Sequence, residues 1–128
     1  MLIWSAYLKY QVEWKPGTLD EMKVFQKRFR QTIIRKIQTI ADDIPTSLKL
    51  RSVQPVKGQD MINVDDHLYE LDIASGQKAA FAINDEKKIL IVYMVGNHEY
   101  ACANYLKLAS ERLKVDKPHN ITGMNNDV

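Results

Sequence analysis

Short stretches in which apolar and polar residues alternate predict the strands of this chain. In residues 7–14, YLKYQVEW, aromatic and β-branched residues alternate with polar ones, as in a half-buried strand. Three further strand-like stretches follow in close order at 67–74, 77–83 and 88–95. Their short connections predict an antiparallel meander. The last stretch is apolar on both faces, which is typical of a strand in the middle of a sheet covered by helices.

A spacing of three and four residues predicts a long helical segment near the N-terminus. Thr18 and Glu21 have the spacing of a capping box, so we expect the helix to begin there and to end near Pro45. One straight helix over 18–42 would be about 37 Å long, so we expect a bend or a helical hairpin. The apolar stripe consists of Met22, Phe25, Phe29, Ile33, Ile37 and Ile40.

A second helix is predicted over residues 98–113, with Asn97 as its N-cap. Its apolar stripe consists of Cys102, Leu106, Ala109 and Leu113. Upstream, the alternation in 48–51 predicts a short edge strand, followed by a loop at Pro55 and Gly58.

The order of these elements predicts an α+β domain, in which helices pack on a small, mostly antiparallel sheet. The sheet would consist of a strand, then a helical segment, then the meander, with a C-terminal helix. We expect one domain over residues 1–113, followed by a polar, flexible tail over 114–128.

Composition and charge narrow the classes of protein. The chain has 128 residues, one cysteine and a net charge of +2. We expect a cytoplasmic protein without a membrane partner, because the lone cysteine forms no internal disulfide and the sequence has neither a signal peptide nor an apolar run of about 20 residues. Residues 1–59 contain 11 Lys/Arg and 5 Asp/Glu, whereas 60–128 contain 7 and 11. The first half therefore offers a surface for an anion, or merely a solvated face; both interpretations stay open.

No familiar cofactor motif is present. The sequence has no Gly-rich phosphate loop and no cysteine pair. His98 and Cys102 lie four residues apart with Glu99 nearby, but catalytic zinc normally has three protein ligands. We therefore expect neither a metal nor another cofactor, and we interpret Cys102 as a core residue.

Polar residues that could bind a phosphate and transfer a proton are spread over four segments. Cations precede the meander and begin its second strand, and two titratable rings follow Gly96 at the end of its third strand. If folding gathers them, the cations would bind a phosphate and one ring would transfer a proton. The candidates are Lys49, Arg51, Lys57, Lys78, His98 and Tyr100.

Several segments together resemble the RelE/ParE superfamily of bacterial toxins from type II toxin–antitoxin systems, including its HigB-like members. They are YQVEW, DDIP, PVKG, LYELDIASGQKAAFAI and ILIVYMVGNHEY. The resemblance covers about 100 residues, from Tyr7 to Arg112. It implies a RelE-like fold and a cytoplasmic, metal-independent endoribonuclease that cleaves mRNA, on or off the ribosome, and is silenced by a cognate antitoxin protein.

The resemblance also implies roles for individual residues. Lys57, in PVKG, and Lys78, at the start of the second meander strand, would bind phosphate. His98 or Tyr100 would transfer a proton, and Lys49 and Arg51 would extend the RNA track.

Two departures from the family pattern leave other functions open. Asp72 occupies a position where an arginine is frequent, and an aspartate there repels RNA unless it faces away or pairs with Lys78. Lysine at position 78 also lacks the bidentate fork of arginine. These changes favour a ParE-like or catalytically inert relative that acts by binding a protein such as gyrase; a binding domain with no toxin role is the third alternative.

Overall fold

The computed structural model describes residues 9–62 and 64–113, and the predicted tail over 114–128 lies outside them. The strands are β1 (Gln11–Trp14), β2 (Val53–Pro55), β3 (His67–Ala74), β4 (Gln77–Asn84) and β5 (Ile89–Asn97). The helices are α1 (Pro16–Met22), α2 (Lys27–Asp42), α3 (Ile44–Ser47) and α4 (His98–Arg112), with a 3₁₀ turn at Gln59–Met61. The predicted α+β class is confirmed.

The five strands form one sheet in the order β1-β5-β4-β3-β2. The meander of β3, β4 and β5 is antiparallel as predicted, and β1 joins β5 in parallel. Helices α1 and α2 cover one face, where Ile33, Ile37 and Phe81 are fully buried. Helix α4 covers the other face, over Leu68, Ala80 and other buried side chains. The position of β5 between two strands and two helical layers accounts for its apolar residues on both faces.

The predicted interruption of the N-terminal helix is confirmed, but the capping box is wrong. Helix α1 begins at Pro16, whose missing N–H costs nothing in the first turn. Thr18 is buried and donates its hydroxyl to the Val92 carbonyl at 3.3 Å. The Glu21 carboxylate instead accepts the N–H of Val95 at 2.9 Å. Tertiary partners on β5 therefore replace the local cap.

The predicted edge strand lies in the wrong place. Residues 48–52 form turns, and the edge strand is β2, which begins at Val53 and ends at Pro55. A proline is acceptable at the end of an edge strand because its missing N–H faces no neighbouring strand.

A β-bulge in β5 changes which side chains face α4. Ala80 pairs with Met94 while the next residue, Phe81, pairs with Val92, so Tyr93 is the extra residue. Tyr93 and Met94 consequently both pack under α4. The extra residue breaks the strict alternation of strand side chains at this point.

The start of α4 is as predicted, and its apolar stripe is only partly so. The Asn97 side chain accepts the N–H of Tyr100 at 2.8 Å, which confirms the N-cap. Ala109 and Leu113 are buried, but Cys102 is exposed, so its interpretation as a core residue is wrong. The strongest burial lies one residue earlier, at Ala101. Among the helices in the described ranges, none has the length and apolar character needed to cross a bilayer.

Candidate functional site

A cleft opens between the β2–β3 edge of the sheet and helix α4. Its volume is about 380 Å³. Gln54 and Glu70 are register partners on β2 and β3, and both lie on the face that α4 covers. We call this hollow the β3–α4 cleft; it is lined by Gln54, Lys57, Glu70, His98, Cys102, Tyr105 and Leu106.

Lys57 reaches the cleft from a turn that is fixed to β3. The Val56 N–H donates to the Leu68 carbonyl at 3.0 Å. The Gln59 amide also binds both backbone groups of Leu68, at 2.8 and 3.2 Å. Gly58 closes the turn with a φ of +79°, a conformation that glycine adopts without strain. Lys57 itself is exposed, and no side chain in the described ranges forms an ion pair with it. Lys57 is therefore a cation without an ionic partner in the described ranges, and the turn that carries it is fixed to β3.

Lys78 lies beside the cleft but is held by two carboxylates. Its Nζ is 3.2 Å from Glu70 Oε1 and 2.5 Å from Asp72 Oδ1. Burial alone lowers the pKa of Lys78, but its hydrogen bonds to Asp72 and Glu70 outweigh this and raise the pKa above the ordinary lysine value. Of the two possibilities that the sequence left open for Asp72, pairing with Lys78 is the one observed. Lys78 is consequently charged, and its charge is already compensated.

His98 and Cys102 occupy neighbouring turns of α4 at the mouth of the cleft. Cys102 Sγ is 3.6 Å from His98 Nε2, and both residues are exposed. His98 also donates its backbone N–H to the Gly76 carbonyl at 2.9 Å, which fixes the start of α4 to the β3–β4 turn. The ring is therefore accessible both to solvent and to a molecule in the cleft.

Tyr105 is a cleft residue that the sequence reasoning missed. Only 8% of the residue is exposed, and its hydroxyl has no hydrogen-bond partner within residues 9–62 and 64–113. Burial raises the pKa of Tyr105, and the nearby Glu70 carboxylate raises it further. A buried unpaired hydroxyl is costly, and because the hydroxyl oxygen is shielded from solvent, a ligand in the cleft would reach it only after the side chain shifts. A helical spacing of seven from His98, on the face that also bears Cys102, is the signal that could have revealed it.

Tyr100 does not line the β3–α4 cleft. Its hydroxyl donates to Glu21 Oε2, and its ring covers Gly96 so closely that a Cβ there would collide with it. Burial, together with the Glu21 hydrogen bond, raises the Tyr100 pKa. Tyr100 faces a second hollow of about 390 Å³ beside α1, which Val24 and Phe25 also line.

The remaining predicted site residues lie outside the cleft. Lys49 and Arg51 are exposed in the turns before β2 and do not line it. The cations of α2, which include Arg28 and Arg35, belong to a helix packed on the opposite face of the sheet. The structure therefore brings together Lys57 and His98, with Lys78 adjacent, and separates them from the other candidates. Within residues 9–62 and 64–113, no three His, Cys, Asp or Glu side chains are grouped to hold a metal ion.

Comparisons with known proteins give a consistent answer about the fold. No protein-family model and no curated sequence matches the chain. An archaeal RelE–RelB complex from Pyrococcus horikoshii is similar in structure, with a TM-score of 0.56 and 12% identity over 70% of this chain and 96% of that one. A free mutant of the E. coli toxin RelE has a TM-score of 0.56 and 19% identity, over 84% and 97%. The isolated E. coli RelE toxin gives 0.50 and 19%, over 73% and 94%. The predicted RelE-like fold is thus confirmed: this chain has the fold of the RelE toxins.

Proposed function

We propose that this protein is the toxin of a toxin–antitoxin pair and that it cleaves mRNA in the β3–α4 cleft. The observation that supports this most directly is the presence of a free cation, an exposed imidazole and an unpaired tyrosine hydroxyl in one cleft of a RelE-like fold. These are the groups that phosphodiester cleavage without a metal requires.

The proposed reaction is an attack of a ribose 2′-oxygen on the adjacent phosphorus. A P–O2′ bond forms, the P–O5′ bond breaks, and the products are a 2′,3′-cyclic phosphate and a 5′-hydroxyl. One cleft group takes the 2′ proton and another gives a proton to the leaving O5′. We assign these proton transfers to His98 and Tyr105, and the stabilisation of phosphate charge to Lys57 and Lys78. Lys49 and Arg51 would contact the RNA only outside the cleft.

An antitoxin protein is the proposed partner. The Pyrococcus horikoshii structure is a complex of RelE with RelB, and a protein with the same fold has a comparable surface to cover. Exposed cations of α2 and of the turns before β2 suit an acidic segment of such a partner.

The first test is expression of the intact chain in bacteria. We expect growth arrest, together with new mRNA 5′ ends in primer extension. Lys57→Ala should relieve the arrest, because it removes the free cation of the cleft. The fold should be retained, because Lys57 is exposed and no side chain in the described ranges forms an ion pair with it. Removing a positioned cation should reduce cleavage by about 100-fold. Undisturbed growth at a high level of folded protein would contradict the proposal.

One observation favours a second function. Two carboxylates already neutralise Lys78, and a cleft with less free positive charge suits a toxin that binds a protein target instead of cleaving RNA. Growth arrest with intact transcripts would identify this alternative.

The single cysteine provides a test that does not depend on turnover. Cys102 is exposed and lines the cleft, so we expect a thiol reagent such as Ellman's reagent to modify it readily. An RNA in which every ribose is 2′-O-methylated, and which therefore cannot be cleaved, should slow this modification several-fold. An all-DNA oligonucleotide of the same sequence is the control for general screening by charge. No protection by the RNA would mean that the nucleic acid does not enter this cleft.

A further inference from the structure

The anion site at Lys78 already contains an anion, which is the carboxylate of Asp72. Asp72 Oδ1 is in direct contact with Lys78 Nζ, at 2.5 Å, and so occupies the place that a phosphate oxygen bound to the ammonium group would take. Lys78 pairs across the strands with Asp72 on one side and with Gly96 on the other. The ammonium group is therefore at the end of the sheet where α4 begins, next to the cleft.

The two carboxylates on Lys78 differ in their freedom to move. The Glu70 side chain is 23% exposed and lines the cleft wall, whereas the Asp72 side chain is 62% exposed. The strand register shifts between Asp72 and Ala74, so Asp72 is at a β-bulge, where pairing is interrupted. Asp72 therefore has room to rotate into solvent, while Glu70 stays and keeps Lys78 oriented.

The backbone around Asp72 does not depend on its carboxylate. Its N–H donates to the Ser52 carbonyl at 2.8 Å, which fixes the strand end to the turn before β2. Solvent reaches the pair from the Asp72 side, because the Asp72 side chain is 62% exposed and the Lys78 side chain 12%. The Asp72 carboxylate is therefore well placed as a competitor for an anion that approaches from solvent.

We propose that Asp72 is an intramolecular competitor of the RNA phosphate: it occupies the anion site on Lys78 in the free protein and must leave before a phosphate binds there. This inference rests on the proposed function for the identity of the ligand. It makes Asp72 a residue that determines affinity, with no direct part in the proton transfers. Among the described residues that line the cleft, Lys57 is consequently the one cation available in the free protein, and Lys78 becomes the second only when RNA displaces Asp72.

The test is the affinity of Asp72→Asn for the uncleavable 2′-O-methyl RNA, measured by fluorescence anisotropy at constant salt. Asparagine keeps the shape and removes the charge, so we expect binding about tenfold tighter than in the unaltered protein. The matched control is Glu86→Gln. Glu86 is exposed in the β4–β5 turn at the opposite end of the strands, roughly 20 Å from Lys78. Its substitution therefore removes the same charge without a direct effect on Lys78. We expect its affinity to be nearly unchanged.

Equal affinities of the two variants would overturn the inference, because the effect would then be one of net charge or would be absent. Inorganic phosphate, followed by the NMR signal of the Lys78 ammonium group, separates this outcome from a failure of the proposed function. If no variant binds RNA but phosphate shifts the Lys78 signal at lower concentration in Asp72→Asn, Asp72 is a competitor and the RNA substrate is wrong. If phosphate shifts that signal identically in both variants, the competition does not exist.

Discussion

Replacing Tyr105 with phenylalanine is expected to lower RNA cleavage by about 100- to 1,000-fold and, at the same time, to raise the free energy of unfolding. The two effects have one cause. The Tyr105 hydroxyl is buried and has no partner in the described part of the chain, so its removal relieves a desolvation cost of about 1 kcal/mol. In the proposed reaction the same hydroxyl would donate a hydrogen bond or a proton to the reacting phosphate, and the loss of such a group has the expected kinetic cost.

The expected changes in activity and in stability have opposite signs, which distinguishes a role in the reaction from a role in the fold. A substitution that acts only through the fold would not lower cleavage while it raises stability, whereas Tyr105→Phe should lower the rate of cleavage and raise the free energy of unfolding. Activity would be measured as single-turnover cleavage of a short RNA, and stability by denaturant unfolding. A variant that cleaves RNA at the original rate would exclude Tyr105 from the chemistry.

Tyr93 offers a matched control for this substitution. Its hydroxyl is also buried and has no partner among the residues that the structure describes, and the nearby Glu70 adds to the effect of burial in raising its pKa. Tyr93 is 0% exposed, however, and is not a lining residue of the β3–α4 cleft. Tyr93→Phe should therefore gain stability as Tyr105→Phe does, but should retain RNA cleavage.

The strands and helices with a regular pattern were predictable because local rules determine them. The meander was evident from alternation and short turns, and the N-cap of α4 from Asn97 directly after an apolar strand. The edge strand was misplaced because the alternation at Leu48–Arg51 occurs in turns, where it has no structural meaning. Pattern alone does not show whether a segment has a neighbouring strand to bond with.

The composition of the cleft was only partly predictable, since side chains distant in sequence decide it. Lys57 and His98 were found because cations before a meander and a titratable ring after it are visible in the sequence. Tyr105 was missed because an aromatic residue within a helix normally indicates core. The separation of Tyr100 from the cleft depends on its hydrogen bond to Glu21, 79 positions earlier, and no spacing rule predicts such a pair.

Substitution of Glu21 is expected to cause the largest loss of stability. Its carboxylate accepts hydrogen bonds from the Val95 N–H at 2.9 Å, from Tyr100 and from the Arg112 guanidinium at 3.1 and 3.3 Å. The Glu21 side chain is only 13% exposed, and that of Arg112 only 21%. One carboxylate thus joins α1, β5 and both ends of α4.

Glu21→Ala should lower the free energy of unfolding by about 3–5 kcal/mol, because it leaves the Arg112 charge and a backbone N–H unpaired away from water. A fall in Tm of roughly 10–20 °C would follow, measurable by calorimetry.

Asp20→Ala is the matched control. Asp20 precedes Glu21 on the same helix and has the same charge, but it is 75% exposed and its ion pair with Lys23 lies in solvent. Its removal should leave Tm almost unchanged. If the two variants unfolded alike, the contacts of Glu21 would not hold α4 against α1 and β5. Since α4 supplies His98, Cys102 and Tyr105 to the cleft, Glu21→Ala should also reduce RNA binding at temperatures well below its own Tm, which Asp20→Ala should not do.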